Sequence, residues 1–436
     1  MTIYFNILKR LFFIYIAVLP LSVNAQDNVQ LINLETVLKI GGANNLTIQE
    51  FKLRQQLAFA ELKEAKEWWL PTIYTGTTFH QLWGNAMNGN GEFFTDVNRQ
   101  NFWGGVGLNA SWNFGEGIYK TKAIEFKMQS TALNTQAAQN KLLLHIISTY
   151  YDFLSAQLFH KAYTQLADQA DTIATQIGVQ VESGIGFESE MLLARSNYNH
   201  LKVKSISAQI DYSDKTAQLV RLLNLEPGVK LLASDSIIAP LNLIALSDLN
   251  ELNDSVSYSR AEIKSLEFSL LALNQQKKTT TTGLFLPELR IGSYGSYFGD
   301  IFTPINLTGE LNAALVWKIP IGRITSGGTV LKYNAKIDLQ KNKIEQTKAH
   351  INEEVLRAKE RIILADQQFK VAEQGLSLSS KALKQCIDRQ SLGNVRPMEI
   401  IHAQEMHINS MLDYLKAVTF YNKAQYAYYV ATGNNL

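Results

Sequence analysis

The chain of 436 residues carries a formal charge of +2, with 18% charged side chains and a single cysteine, Cys386. Basic residues are interleaved with acidic ones, which excludes the basic patch of a nucleic-acid-binding protein, and one cysteine excludes a disulfide within the chain. Because charged residues usually make up about a quarter of a globular chain, part of the surface is expected to be apolar, and lipid is one candidate to cover it.

Residues 1–25 are expected to be a signal peptide. Lys9 and Arg10 precede the apolar run Leu11 to Leu19, and Val23-Asn24-Ala25 offers a cleavage site of small residues. A membrane anchor is the less favoured interpretation, because the run is too short to span a bilayer. No other stretch approaches about eighteen apolar residues, so the mature chain is expected to be exported without a transmembrane helix.

A helix is predicted from Leu34 to Glu67, because good helix formers dominate this stretch. The pair Gly41-Gly42 interrupts it near the start, and Pro71 ends it. Candidate caps where the helix restarts are Asn44, Asn45 and Thr47.

Two strands follow, at about 72–83 and 102–114, with a loop at 85–101 between them. In the second strand the even positions are apolar, among them Val106 and Leu108, while glycine, asparagine and serine fill the odd positions. This period of two indicates a strand with one apolar face and one small or polar face.

A long helical hairpin is predicted at about 118–223, and a connector of mixed character at 224–247. Roughly 65 residues without a proline precede the turn at Gly184, and a helix of that length would measure about 100 Å. Apolar residues on this helix are three and four positions apart, as in the seam of a coiled coil. They are Leu144, Ile147, Tyr151, Leu154 and Leu158.

The same pattern returns later in the chain, which predicts two structural repeats, at 26–247 and 248–436. The segment Trp112 to Gly117 matches Trp317 to Gly322 in its tryptophan, its apolar residue and its glycine. The elements of the second repeat are strands at about 288–298 and 307–319 and a helical hairpin at about 323–432, with its turn at Gly393.

All six tryptophans lie in or beside the proposed strands. Indole prefers the interface between membrane and water, so this clustering favours an aromatic girdle around a membrane barrel, with a soluble sandwich core as the alternative. Four strands cannot close a barrel alone, and open sheet edges are not allowed in lipid, so several chains must share one barrel. The interface tryptophans are Trp69, Trp83, Trp103, Trp112 and Trp317.

An ordered set of motifs occurs in both repeats. Leu-Pro pairs precede the strands, tryptophan-ended strands run into long helices, and each turn has the pattern Gly-x5-Glu-[Met/Ile]-[Leu/Ile]-x-Ala. The chain then closes with Ala431-Thr432-Gly433. This set resembles the outer-membrane efflux proteins of the TolC family over nearly all of the mature chain.

The resemblance implies a mainly α fold with a membrane β-barrel. Three copies would share a twelve-stranded barrel in the outer membrane, continuous with an α-helical tunnel in the periplasm. The protein would be the exit duct of a tripartite efflux or type I secretion system, a passive gated channel powered by its partner. The implied partners are a periplasmic membrane-fusion adaptor and an inner-membrane transporter of the RND, ABC or another class.

In the family, the turn of the second repeat carries two acidic residues, three apart, that line the closed periplasmic aperture. The matching positions here are Glu399 and His402, and Glu190 is the equivalent of Glu399 in the first repeat. Histidine changes its charge near neutral pH, so three copies of Glu399 and His402 are expected to form a pH-sensitive ring. A half-exposed helix histidine beside a glutamate, without such a role, is the alternative.

The chain is not expected to be an enzyme or to hold a cofactor or metal. No serine, cysteine or pair of carboxylates stands out as a nucleophile, and Met398, Met406 and His407 do not share one helix face. The alternative function is a periplasmic coiled-coil adaptor or structural interaction protein, with the strands as a small capping domain. A passive porin is less favoured, because porins consist mainly of strands.

Overall fold

The computed structural model describes residues 29–184, 186–235, 238–244, 260–299, 306–391 and 397–436. The chain divides into two compact units. The first unit comprises the described residues of Met1–Gly41, Thr149–Ile238 and Ser379–Leu412, and the second comprises those of Gly42–Ser148, Ala239–Leu378 and Asp413–Leu436. The predicted signal peptide, the repeat boundary at 247/248 and the turn residue Gly393 lie outside the described residues.

Helices make up most of the described chain, and α3 and α7 are the longest, with 69 and 64 residues and no proline. The helices are α1 (Leu34–Asn44), α2 (Leu46–Lys66), α3 (Phe114–Glu182), α4 (Glu188–Leu223), α5 (Ala261–Thr279), α6 (Ile321–Ser326), α7 (Gly328–Ser391) and α8 (Pro397–Ala431). The strands are β1 (Val29–Ile32), β2 (Thr72–Met87), β3 (Phe93–Asn113), β4 (Lys230–Ala233), β5 (Glu288–Gly299) and β6 (Asn306–Val316).

The break between α1 and α2 falls at Asn45, not at the glycine pair, which lies inside α1. The Asn45 side-chain oxygen accepts hydrogen bonds from the backbone N–H groups of Thr47 (2.8 Å) and Ile48 (3.3 Å). These bonds satisfy two of the donors that a helix start leaves free. The break between the two helices is therefore determined by the Asn45 cap and not by the glycine pair.

The second unit contains an antiparallel sheet of four strands in the order β2-β3-β5-β6. The strands β2 and β6 are its edges. In the register of the sheet, Ile73 on β2 faces Leu108 on β3, and Leu289 on β5 faces Leu315 on β6. Residues that are paired on neighbouring strands therefore lie on the same face of the sheet along the whole ladder.

The loop expected at 85–101 is mostly strand, and that expectation is wrong. β2 continues to Met87 and β3 begins at Phe93, with a tight turn between them. In this turn the Asn88 side-chain oxygen accepts hydrogen bonds from the backbone N–H groups of Asn90 and Glu92, both at 3.0 Å. The main-chain ladder holds this part of the hairpin, so it needs no alternation of apolar residues.

The strand expected at 307–319 ends at Val316, four residues before Pro320. Proline lacks the N–H group that a ladder needs, and it restricts the residue before it. α6 then begins at Ile321, directly after this proline.

The first unit contains a parallel sheet of two strands, β1 and β4. β4 lies in the predicted connector at 224–247, and β1 lies before the first predicted helix. Side chains of the long helices hold β4 in place. The Ala233 N–H group donates to the Gln157 side-chain oxygen (2.8 Å), and the Tyr212 hydroxyl donates to the Leu231 carbonyl (2.6 Å). These strands have four residues each, too few to show an alternation in the sequence.

The core of the first unit lies where α3, α4 and the first part of α8 meet. One cluster of buried side chains joins the three helices: Leu166, Ala167, Ala170, Leu201, Ile408 and Leu412. A second cluster, closer to the turn between α3 and α4, contains Ala174, Ile177 and Ala194, with Ile401 of α8 packed against it. The start of α8 is therefore fixed in rotation by its apolar residues.

Candidate functional site

One face of the four-stranded sheet is apolar and uncovered. Leu307 and Leu311 on β6 are 75% and 76% exposed. Other exposed apolar side chains on this face are Ile73, Phe79, Trp83, Val106, Leu108, Tyr297 and Leu315. A continuous apolar surface of this kind indicates a site of contact with lipid or with protein.

The opposite face is polar and rich in glycine. One row across the sheet contains Thr72, Asn109, Gly292 and Asn312, and the next contains Tyr74, Gly107, Tyr294 and Glu310. A Cβ atom on Gly107 would lie 2.3 Å from the Tyr74 ring. The glycine therefore leaves room for an aromatic ring that lies flat over the strand.

An ion cluster lies on the polar face where the strands meet the helices. The Glu288 carboxylate is nearly buried and lies 2.8 Å from Arg290 Nε and 2.6 Å from Lys318 Nζ. The Ser111 hydroxyl also donates to it, at 2.6 Å. The buried carboxylate of Glu288 is therefore paired with two cations and one hydroxyl.

The tryptophans expected at a membrane interface fall into two groups. Trp69, Trp83 and Trp317 are 57%, 72% and 53% exposed. Trp112 is half-buried, and its indole N–H donates to the Trp69 carbonyl at 2.5 Å. The side chain of Trp103 lies outside the described residues.

Close packing of glycine marks the start of α3. A Cβ atom on Gly115 would lie 2.0 Å from the Gly283 carbonyl oxygen, and one on Gly117 would lie 2.3 Å from the Trp68 ring. Trp68 also meets Phe114 edge to face, with ring centroids 5.9 Å apart. In the sequence these glycines indicate only where the strand ends, so their packing role was not predicted.

The turn between α3 and α4, in the first unit, contains Gly184 at φ +76°. Its N–H group donates to the Val181 carbonyl at 2.9 Å. A left-handed residue at the end of a helix is usually glycine, because other residues meet a steric penalty there. After the turn, the Glu190 carboxylate in the first turn of α4 lies 3.5 Å from the Phe187 backbone nitrogen.

The first turn of α8 brings together the candidate gate residues of the same unit. Ile400 is fully buried and Ile401 packs against the second core cluster, whereas Glu399 and His402 are exposed. Glu399 and His402 are three residues apart and therefore lie on one face of the helix. The Glu399 carboxylate is 3.9 Å from Arg389 Nη1, near the end of α7, an ion pair that was not predicted from the sequence.

His407 lies one to two turns further along α8 and is half-buried. Its Nδ1 atom is 3.4 Å from the Ser379 hydroxyl oxygen. Burial disfavours the charged imidazolium and lowers the pKa of His407.

Within the described residues, no helix is both long enough and apolar enough to cross a membrane.

The family comparison matches residues 42–225 to the outer membrane efflux protein family. No curated protein sequence matches the chain. The resemblance read from the sequence is confirmed over the matched residues.

Several solved structures share the fold. The CmeC outer membrane channel of Campylobacter jejuni matches with a TM-score of 0.79 and 15% identity over 92% of this chain and 85% of that chain. The open MtrE outer membrane channel of Neisseria gonorrhoeae gives 0.74 and 14%, over 92% and 89%. The outer membrane protein VceC of Vibrio cholerae gives 0.73 and 13%, over 92% and 96%. Of the predicted fold class, the mainly helical chain with an antiparallel sheet is confirmed, and the membrane barrel shared by three copies stays a prediction.

Proposed function

We propose that this chain, which carries an outer membrane efflux protein domain at residues 42–225, is the exit duct of a tripartite efflux or type I secretion system. The duct lies in the outer membrane and extends into the periplasm. The observation that carries the proposal is the uncovered apolar face of a sheet in which β3 runs directly into the 69-residue helix α3, and β6 is followed by the short helix α6 and the 64-residue helix α7. The matched family and the matched channels are not enzymes, and the chain acts as a conduit.

The sheet supports a trimer that shares one barrel. β2 and β6 are the edges of the described sheet, and a strand edge exposed to lipid would leave its backbone groups without partners. Pairing β6 of one copy with β2 of the next satisfies both edges. Three copies of a four-stranded sheet give the twelve strands of a closed barrel, with the apolar face toward lipid.

In such a barrel the exposed tryptophans Trp69, Trp83 and Trp317 form part of the aromatic girdles at the two membrane interfaces. Indole combines a large apolar body with one N–H donor, so it is stabilised where hydrocarbon meets water. Trp112 belongs to a girdle by its position opposite Leu289 on the apolar face of β3. Trp103 stays a prediction, since its register opposite Thr78 places it in a row of the polar face. The exposure of the first three side chains supports this assignment.

The duct is passive, and its energy comes from the partners. A periplasmic membrane-fusion adaptor contacts the helices, and an inner-membrane transporter of the RND, ABC or another class drives the cargo. Exposed apolar side chains along α7, among them Leu339, Leu356 and Leu364, support the presence of helix partners.

The gate is the ring formed by three copies of Glu399 and His402, with Glu190 near the other turn. The exposure of Glu399 and His402 on one helix face supports this role. Among the described residues, charged groups close to these positions include Arg389, which pairs with Glu399, and Glu405, three residues after His402. Protonation of His402 would add positive charge to the ring and weaken its attraction for cations.

Single-channel conductance of reconstituted protein tests the gate between about pH 5 and pH 8. The proposal predicts a conductance that changes with pH in the wild type and loses that dependence in His402→Asp. Gln substitution of His200, an exposed histidine on α4, is the control. A conductance that ignores both the pH and the His402→Asp change would contradict the gate.

Membrane fractionation tests the proposed function itself. The duct is expected in the outer-membrane fraction and should leave it only with detergent. The alternative, a periplasmic coiled-coil adaptor or structural interaction protein, predicts a protein that washes out with salt or with osmotic shock. The uncovered apolar sheet face favours the duct, because a capping domain in water would bury that face.

A further inference from the structure

The polar face of the sheet contains a second carboxylate, Glu310, with surroundings unlike those of Glu288. Glu310 is exposed on β6 and faces Tyr294 on β5. The Tyr294 hydroxyl hydrogen-bonds to its carboxylate. The ion pairs of the described residues include Glu288, with two cations, and do not include Glu310. One acid is therefore compensated and the other is not.

In the row that contains Glu310, the neighbouring Tyr294 orients its side chain. Across the sheet the row reads Tyr74, Gly107, Tyr294 and Glu310. Because Gly107 has no side chain, the Tyr74 ring lies over it, and the two tyrosines flank the glycine on the polar face. The phenol donor of Tyr294 orients a carboxylate that otherwise faces water.

Among the described residues, the basic side chains on the polar face of β5 and after β6 pair with Glu288 and not with Glu310. The nearest basic residue on the polar face of β5 is Arg290, four residues from Tyr294, which is about 13 Å along the strand, and its Nε donates to Glu288. Lys318 is eight residues from Glu310, about 26 Å. At about 0.1 M salt the Debye length is about 10 Å, so Glu310 acts as an isolated negative charge.

We infer that Glu310 is a selectivity-determining residue of the duct, and that its three copies form an anionic ring inside the barrel that attracts cations. The inference rests on the proposed function, because only a shared barrel turns the polar face into a channel wall. It concerns the barrel, and it is independent of Glu399 and His402, which belong to the other unit. Its ligand class is small inorganic cations passing through the lumen.

Reversal potentials across planar bilayers test the inference, with purified protein in a gradient of potassium chloride. Glu310→Gln should lower the ratio of potassium to chloride permeability about twofold or more. Glu310→Asp keeps the charge and should restore most of the ratio. Tyr294→Phe removes the hydrogen bond and keeps the carboxylate, so it should produce a smaller decrease than Glu310→Gln.

Ionic strength and a distant control sharpen the result. The Debye length grows from about 10 Å at 0.1 M to about 30 Å at 0.01 M salt, so the difference between the wild type and Glu310→Gln should widen as salt is lowered. Glu92→Gln removes a carboxylate from the β2–β3 turn. Glu92 is fifteen residues from Gly107 along β3, about 50 Å, and its loss should leave the ratio unchanged.

A Glu310→Gln channel with wild-type selectivity at both salt concentrations would overturn the inference while the proposed function stands. An equal effect of Glu92→Gln would also overturn it, because the charge would then act without regard to position. A protein that extracts as a water-soluble monomer and forms no channel would overturn the proposed function, and the inference with it.

Discussion

The apolar face of the four-stranded sheet and the helix-packed turn region of the first unit contain similar residues in opposite surroundings. Leu311 on the sheet is 76% exposed, whereas Ile177 and Ile400 near the turn are 1% and 0% exposed. The turn region therefore covers these apolar side chains with its own chain, and the sheet does not. The stability of the turn region is therefore a property of one chain, whereas in the proposed duct lipid and further copies would complete the sheet.

The largest effect is expected when a charge is placed on the sheet face. Leu311→Arg should cost about 2–4 kcal/mol per copy near the middle of a bilayer, and a trimer carries the cost three times. The outer-membrane yield of folded protein should collapse, as measured by fractionation and gel mobility without heating.

Thr308→Arg is the matched control, because Thr308 lies on the polar face three residues away and is exposed. It should give near wild-type yield. Equal losses from both variants would mean that the two faces meet the same environment, which would contradict the lipid-facing assignment.

In the turn region, loss of packing should lower the free energy of unfolding whether or not a membrane is present. Ile177→Ala removes a buried side chain from the second core cluster and should lower the free energy of unfolding by about 2–4 kcal/mol. Denaturant unfolding of the detergent-solubilised protein, followed by helical circular dichroism, measures it.

Val179→Ala serves as the control for this change, since Val179 is on the same helix and 58% exposed. Its effect should be within about 0.5 kcal/mol of the wild type. If the two variants were equally unstable, the helix face assigned to the core would be wrong.

At the junction of β3 and α3 in the second unit, an added side-chain atom should lower the free energy of unfolding. Gly115→Ala places a methyl group 2.0 Å from the Gly283 carbonyl oxygen and should cost about 1–3 kcal/mol. Thermal unfolding monitored by circular dichroism gives the shift. Gly309→Ala, with no atom within 4 Å of the added carbon, should be neutral, and a larger loss there would refute the packing account.

The smallest effect concerns pH in the turn region. Burial lowers the pKa of His407 from 6.5, so below about pH 6.5 the unfolded chain takes up a proton more readily than the folded chain. The free energy of unfolding should therefore fall as the pH decreases through this range, by less than about 1 kcal/mol per copy.

His407→Gln should remove this part of the pH dependence in thermal unfolding at pH 7 and about pH 5.5. His200→Gln, at an exposed position of the same unit, should leave the difference in place. A His407→Gln protein whose pH dependence equals that of the wild type would show that His407 does not contribute.

The elements that the sequence predicts correctly are those in which one face differs in polarity from the other or in which a long run lacks proline. The alternation around Val106 and Leu108 marks a real strand with one apolar face, and the helix α3 follows its long run without proline. The outer part of the β2–β3 hairpin was not predicted, because backbone hydrogen bonds hold it and its side chains show no alternation of apolar and polar residues. The short strands β1 and β4 escaped because four residues carry no period.

Only part of the candidate site could be predicted from the sequence. Glu399 and His402 could be placed on one helix face by their spacing, and both are exposed there. The ion pair from Arg389 to Glu399 depends on how the chain crosses the turn, which no local pattern specifies. The contrast between Glu288 and Glu310 likewise depends on sheet register, which brings Ser111 to one carboxylate and Tyr294 to the other. The trimer, the gate and the partners stay predictions.

The mass of the detergent-solubilised particle, measured by light scattering with the detergent contribution subtracted, tests the central claim most directly. The account predicts a particle of three chains that resists dissociation by dilution, because each open sheet edge is paired with the next copy. A stable, water-soluble monomer whose apolar sheet face is covered without lipid would contradict it.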